Sequence, residues 1–180
     1  MCNTGGEFAE LRAYLIAKLL WNPDLNMDSL MNDFLSGYYG KASKEIRKYI
    51  DLLHQAMQNS GQRLSIYGTP VQEKESFLSD SLIRVYNKLF DGAEKAVSDN
   101  PEILKRVKTA RLPLEYAMLE IARDEKTGKR GAFILTKDQE LKPDPRIVKM
   151  LYDFVYGCIS TNVSHIREAN VPPLQYLDHY

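Results

Sequence analysis

The segment from Asn3 to Trp21, NTGGEFAELRAYLIAKLLW, limits what this chain can become. Thr4 with Glu7 three positions later forms a capping box, which predicts a helix beginning near Gly5 or Gly6. On a 3.6-residue wheel Glu7, Glu10, Tyr14 and Lys18 fall on one narrow polar stripe. The rest is apolar: Phe8, Leu11, Leu15 and Leu19 on one side, Ile16 and Leu20 further round, and a ridge of Ala9, Ala13 and Ala17. A helix apolar over roughly two-thirds of its circumference needs cover on more than one side. Small side chains along the ridge let a second backbone approach closely. The expectation is that this helix belongs to a body larger than these residues, or to an assembly.

Arg12 lies inside the apolar arc, between the wheel positions of Leu15, Leu19 and Ile16. A buried unpaired guanidinium is costly, so Arg12 is expected to meet a carboxylate within the fold, or a partner or ligand outside it.

Further along, Asn22-Pro23 stops the first helix. Asp28 is read as the cap of a short second helix that ends near Gly37 and Gly40. A third helix is expected over about 42–59, with Ile46, Tyr49, Ile50, Leu53 and Met57 on its apolar stripe. A fourth is expected over about 80–98. A fifth begins at Asn100-Pro101, with a kink or break at Pro113. The last begins at Asp144-Pro145 and continues to about Ala169. Residues 132–136 are a candidate strand whose available partner is 63–67. The tail, 171–180, reads as extended. The chain is therefore expected to be one all-α domain over 1–180, an irregular antiparallel bundle of about six helices with room for one short pair of strands.

Charge and chemistry narrow the function classes. Acidic and basic residues balance at 24 each, which gives no drive towards nucleic acid or an anionic membrane. No apolar run approaches the length of a bilayer span. Met1-Cys2-Asn3 lacks the basic and apolar regions of a signal peptide, so none is expected. Two cysteines make no disulfide framework; Cys158, in an apolar run, is expected to be a buried thiol. The three histidines have no metal-ligand spacing, and His165 with Glu168 is an isolated pair. Neither a phosphate loop nor a dinucleotide or hydrolase nucleophile motif is present. The carboxylates of Glu7 with Glu10, or Glu115 with Glu120, have acid–base spacing, but read more simply as solvated faces. The eleven tyrosines read as core and rim residues. No catalytic residue, metal or cofactor is expected.

The run GGEFAELRAYLIAKLLWNPDLNMDSLMNDFLSGYYGKA, with the later LKRVKTARLPLEYAML and KPDPRIVKMLYDFV, resembles the C-terminal helical region of large bacterial glycoside-hydrolase-like proteins of unknown function. The most specific part surrounds Trp21-Asn22-Pro23 and Tyr38-Tyr39-Gly40, and the likeness covers about residues 3–160. In that family an N-terminal domain like those of α-glucuronidases and hexosaminidases precedes a (β/α)8-type barrel, and the helices follow it. The resemblance implies that residues 1–21 correspond to the last barrel helix or the first helix after the barrel. It also implies that the parent proteins act on carbohydrate and are exported, to the periplasm or cell surface. The barrel, with the catalytic carboxylates such enzymes use, has no counterpart in these 180 residues. No site residue therefore carries over as catalytic.

The expectation that follows is a non-catalytic helical domain of a carbohydrate-active protein, lacking the catalytic barrel. The alternative is an independent protein-interaction or dimerisation module. A small self-contained enzyme is the third reading, without a constellation to support it. Asn3, Thr4, Glu7 and Arg12 are the candidate contacts to a missing barrel, a second copy or a ligand. Carbohydrate is reached only through the parent protein.

Overall fold

The structure, a computed structural model, describes residues 6–63, 65, 67–166 and 171–180. Five helices come first: α1 Ala9–Trp21, α2 Met27–Tyr39, α3 Ser43–Ser60, α4 Asp80–Ala96 and α5 Pro101–Glu125. The strands β1 Phe133–Leu135 and β2 Leu141–Pro143 follow, then α6 Pro145–Ser160 and α7 Pro173–His179. Short 3-10 turns lie at Gly40–Ala42 and Pro70–Glu73. The all-α bundle with one strand pair is thus observed.

Local chemistry explains most element ends. Asn100 accepts from Ile103 N at 3.1 Å and Pro101 opens α5, while Asp144 accepts from Arg146 N at 2.8 Å and Pro145 opens α6. Gly61, at φ 65°, closes α3 in the left-handed conformation that glycine adopts without strain. The cap of α2 is Asn26, which accepts from Ser29 N at 2.9 Å, and not Asp28. Asp28 is left free to pair with Arg47 on α3 at 2.7 Å. α1 begins at Ala9, after Phe8 at φ 47°, and so starts later than the capping box predicts; Thr4 lies outside the described residues.

Two hydrophobic clusters share α5 as their common wall. Val107, Ala110, Leu114, Ala117 and Ile121 recur at spacings of three and four and face the first cluster. There they meet Leu35 and Tyr39 of α2, Ile46 and Tyr49 of α3, and Tyr86 and Phe90 of α4. Leu112 and Leu119, on the other flank, face the second cluster, built with Leu151, Phe154 and Val155 of α6 and Tyr176 of α7. Each fully buried aliphatic or aromatic side chain contributes about 1.5–3 kcal/mol. A helix clamped along two stripes tolerates a lost backbone bond, and of the expected kink or break at Pro113 there is no break: α5 runs through it.

Three further expectations are corrected. The strand partner of β1 is β2, antiparallel with Ile134 opposite Lys142; part of the expected partner, 63–67, lies outside the described residues. The strands close a local hairpin, whose loop entropy is small. α6 ends at Ser160, where Thr161 Oγ1 turns back to the Gly157 carbonyl at 2.8 Å, instead of reaching Ala169. The tail forms α7 rather than staying extended: the Pro172-Pro173 pair supplies a helix start, and Tyr176 supplies a buried anchor.

Candidate docking face and groove

α1 is seated on the bundle by one side only. Leu11 is 5% exposed, and Phe8 and Leu15 pack against the first cluster. Tyr14 stacks at a tilt on Phe34 of α2 and donates to Asp33 Oδ2 at 2.5 Å. The opposite side faces solvent. Ile16 is 56% exposed, Leu20 82% and Trp21 89%, with Ala13 and Ala17 open between them and Leu25 and Met27 uncovered beyond. Scattered single apolar residues are normal on a surface; contiguous ones on one helix face mark an interaction surface. Of the predicted ridge, Ala9 is buried and the other two are not.

Of the four predicted contact residues, two fall among the described ones. Asn3 and Thr4 lie outside the described residues. Arg12 is solvent-exposed on the open face, so the expected buried ion pair is not required: the apolar arc around it is itself uncovered. Glu7 is exposed as a residue, but its carboxyl reaches the buried Tyr49, whose Oη donates to Oε1 at 3.2 Å. Burial there raises the Glu7 pKa, with the Tyr49 hydrogen bond, Arg12 and His54 opposing.

The second feature is a trough above α5 between α4 and α6, which sequence reading missed. Both helices pack antiparallel to α5. A septum centred on Arg111 divides the trough. Arg111 donates through Nη1 to Asp91 Oδ1 and Glu94 Oε1, both at 2.8 Å, and through Nη2 to Asn87 Oδ1 at 2.6 Å. Its buried Nε has no hydrogen-bond partner, and Glu115 Oε1 stands 3.8 Å away. On one side lies a polar cleft of about 820 Å³, lined among others by Lys105, Lys108, Glu115, Lys149 and Tyr156. On the other lies a cleft of about 490 Å³ with an apolar floor. The only sequence trace of this trough is the spacing Asp80, Arg84, Asn87, Asp91, Glu94 on α4, which looks like an ordinary solvated stripe.

Of the paired carboxylates read as solvated, Glu7 and Glu10 are exposed as expected, whereas Glu115 is half-buried and Glu120 buried. Glu115 lines the trough, with its pKa raised by burial. Glu120 is buried and accepts from Tyr176 Oη and Arg123 Nη2, each at 2.8 Å. Cys158 is buried as expected, and desolvation pushes its thiol to about 12, which leaves little thiolate for nucleophilic work at neutral pH. His165 bonds Ser164 at 2.9 Å, and Glu168 lies outside the described residues. Among the described residues no three His, Cys, Asp or Glu side chains gather to hold a metal ion, and no helix is long and apolar enough to cross a membrane.

No curated protein and no solved structure matches the chain. The family described as "Domain of unknown function (DUF4838)" matches residues 1–51, which hold α1, α2 and the first half of α3, and so include the open apolar face but not the trough.

Proposed function

We propose that the chain is a non-catalytic helical module of a glycoside-hydrolase-like carbohydrate-active protein, which works seated against a catalytic barrel that these 180 residues do not contain. The observation that carries this reading is the open face of α1, with Leu20 and Trp21 almost fully in solvent on a helix whose other side is core. An uncovered stripe of this kind favours an apolar partner surface. The match of the DUF4838 family over residues 1–51 supports the importance of this end of the chain, and the resemblance of the same run to helices that follow a barrel supplies the partner.

A second reading, an independent dimerisation module, has its own observation. A two-fold interface must be self-complementary. If two α1 helices cross antiparallel about a point between Ile16 and Ala17, Ile16 of one copy meets Ala17 of the other and Leu20 meets Ala13, large against small. Trp21 meets Arg12, a cation over an aromatic face.

Light scattering and retention on a phenyl resin test both readings, with the wild type set against Leu20→Glu. Open-ended association or phenyl retention, lost in the variant, supports a face awaiting a barrel. A discrete dimer that Leu20→Glu dissociates, and that Ala13→Cys with Leu20→Cys cross-links, supports the second. A monomer with no retention, unchanged by the substitution, overturns both.

A further inference from the structure

The apolar half of the trough lies where the two core clusters fail to meet. Ile83 and Ile121 belong to the first cluster, with Met118 at its edge; Ile147 and Met150 belong to the edge of the second. These five side chains floor a cleft of about 490 Å³, within the roughly 300–1,000 Å³ of small-molecule sites. Two of the five are methionines, unbranched and polarizable, which adjust to the shape of an apolar guest.

The mouth of the cleft carries more cations than anions. Arg84, Lys88, Lys129 and Arg146 stand around it. Asp80 serves two of these at once, Lys129 at 2.8 Å and Arg84 at 3.3 Å. Asp91, the other acid on the rim, is taken by Arg111. Arg146 is matched by Asp144, and Arg130 behind the rim by Glu125 and Glu75. Lys88, exposed, has no ion-pair partner among the described residues. The acids therefore fall short of the cations on the rim itself. Asn87, which also lines the cleft, is already satisfied through Arg111, the Ile83 carbonyl and Met118 Sδ. The floor thus offers contact without polar demand, and the rim offers cations without enough anions.

We propose that this cleft binds an amphiphilic anion, a carboxylate or sulfonate on an aryl or acyl body, with the body on Met118, Ile147 and Met150 and the anionic group at Lys88 and Lys129. This goes beyond the docking role of α1, uses none of its residues, and stands or falls separately from it.

The test uses the full chain and three ligands kept below their micellar concentrations. 8-Anilinonaphthalene-1-sulfonate reports by fluorescence, decanoate competes with it, and decyl glucoside is the uncharged control. Decanoate is expected to displace the dye, with decyl glucoside about tenfold weaker, the size of one charge-assisted contact. Lys88→Glu is expected to weaken decanoate by about tenfold or more and leave decyl glucoside unchanged. Lys88→Met, with the same stem and no charge, separates charge from packing should the glutamate disturb folding by circular dichroism. Met150→Trp, which fills the cleft, is expected to abolish dye binding, with the thermal midpoint recorded alongside. Equal binding of decanoate and decyl glucoside, or no effect of both Lys88 changes, overturns the proposal. So does dye binding that Leu20→Glu abolishes, since it would place the dye on α1.

Discussion

The phenol of Tyr176 donates to Glu120 Oε1 at 2.8 Å inside the molecule, joining α7 to α5 across 56 positions of sequence. The second carboxylate oxygen is held by Arg123 at 2.8 Å, and Tyr180 adds a bond to the Leu119 carbonyl at 2.9 Å. Burial and the adjacent carboxylate both hold the Tyr176 hydroxyl in its protonated, donating form. Tyr176→Phe keeps the ring among Tyr116, Phe154 and Tyr180 and removes only the hydrogen bond. It is expected to cost about 1–3 kcal/mol, because the bond is buried and charge-assisted. Tyr176→Ala also empties the ring's space and is expected to cost about 3–5 kcal/mol. Urea titration of the three proteins checks the order; equal midpoints would show that α7 is not anchored.

The two faces of α1 set up a sharper contrast. Leu11 and Leu20 have the same side chain on the same helix, one 5% and one 82% exposed. Leu11→Ala is expected to lose about 2–5 kcal/mol, as buried leucines do. Leu20→Ala is expected to fall within about 0.5 kcal/mol of wild type in the dilute monomer. Should Leu20→Ala prove as costly as Leu11→Ala at low concentration, the face is covered in solution, and a unimolecular cover would have to be found within the chain.

How far the sequence led differs from element to element. The cap-plus-proline starts at Asn100-Pro101 and Asp144-Pro145 are legible in sequence because each rests on local backbone limits. α1 starts at Ala9, later than the capping box implies, and the capping-box threonine falls outside the described residues. The strand pairing is not legible in sequence because three-residue strands carry little alternation, and hairpin closure over the short turn after Leu135 decides the partner. α7 leaves little trace in sequence because seven residues give less than two turns of periodicity; tertiary anchoring through Tyr176 makes the helix. The excess of apolar surface on α1 was legible from the wheel alone. The trough was not, since it is composed of residues that are ordinary on three separate helices and meet only when α4 and α6 both pack on α5.

Glu115 gives a pH signature. Burial is the leading cause that raises its pKa, Glu94 and Asp153 add to it, and Arg111 and Lys108 oppose. A carboxyl whose folded pKa lies above its unfolded value of 4.5 binds more protons when folded. Stability from this group is therefore greatest below the unfolded pKa and is lost as pH rises through the folded one. Glu115→Gln is expected to match wild type near pH 4 and to exceed it at pH 7, with Arg111 still held by Asp91, Glu94 and Asn87. Thermal midpoints at the two pH values check it; a variant less stable than wild type at pH 7 would mean that the Arg111–Glu115 attraction outweighs desolvation.

Asp144 has the opposite sign. Its side chain is 2% exposed, and it accepts from Arg146 through Nη2 at 2.6 Å, Nε at 3.1 Å and the backbone N at 2.8 Å. The Arg146 guanidinium is the main cause that lowers its pKa from 3.8, with the backbone hydrogen bond next. Its contribution is therefore complete above the unfolded pKa and is lost as pH falls through the folded value. Asparagine still caps a helix, so Asp144→Asn isolates the charge: it is expected to lower stability at pH 7 and to converge on wild type as the pH drops below the ordinary carboxyl range. Asp144→Ala removes the cap as well, at a further cost of about 0.5–2 kcal/mol that persists at every pH. The backbone N of Asp144 also donates to the Ala132 carbonyl at 2.8 Å, so a loosened α6 start should expose the hairpin base. Faster amide exchange at Asp144 in the alanine variant than in the asparagine variant is the expected outcome. Equal exchange would separate the cap from the hairpin, and would leave the hairpin held by the bonds of Ala132 N and Phe133 N to the end of α5.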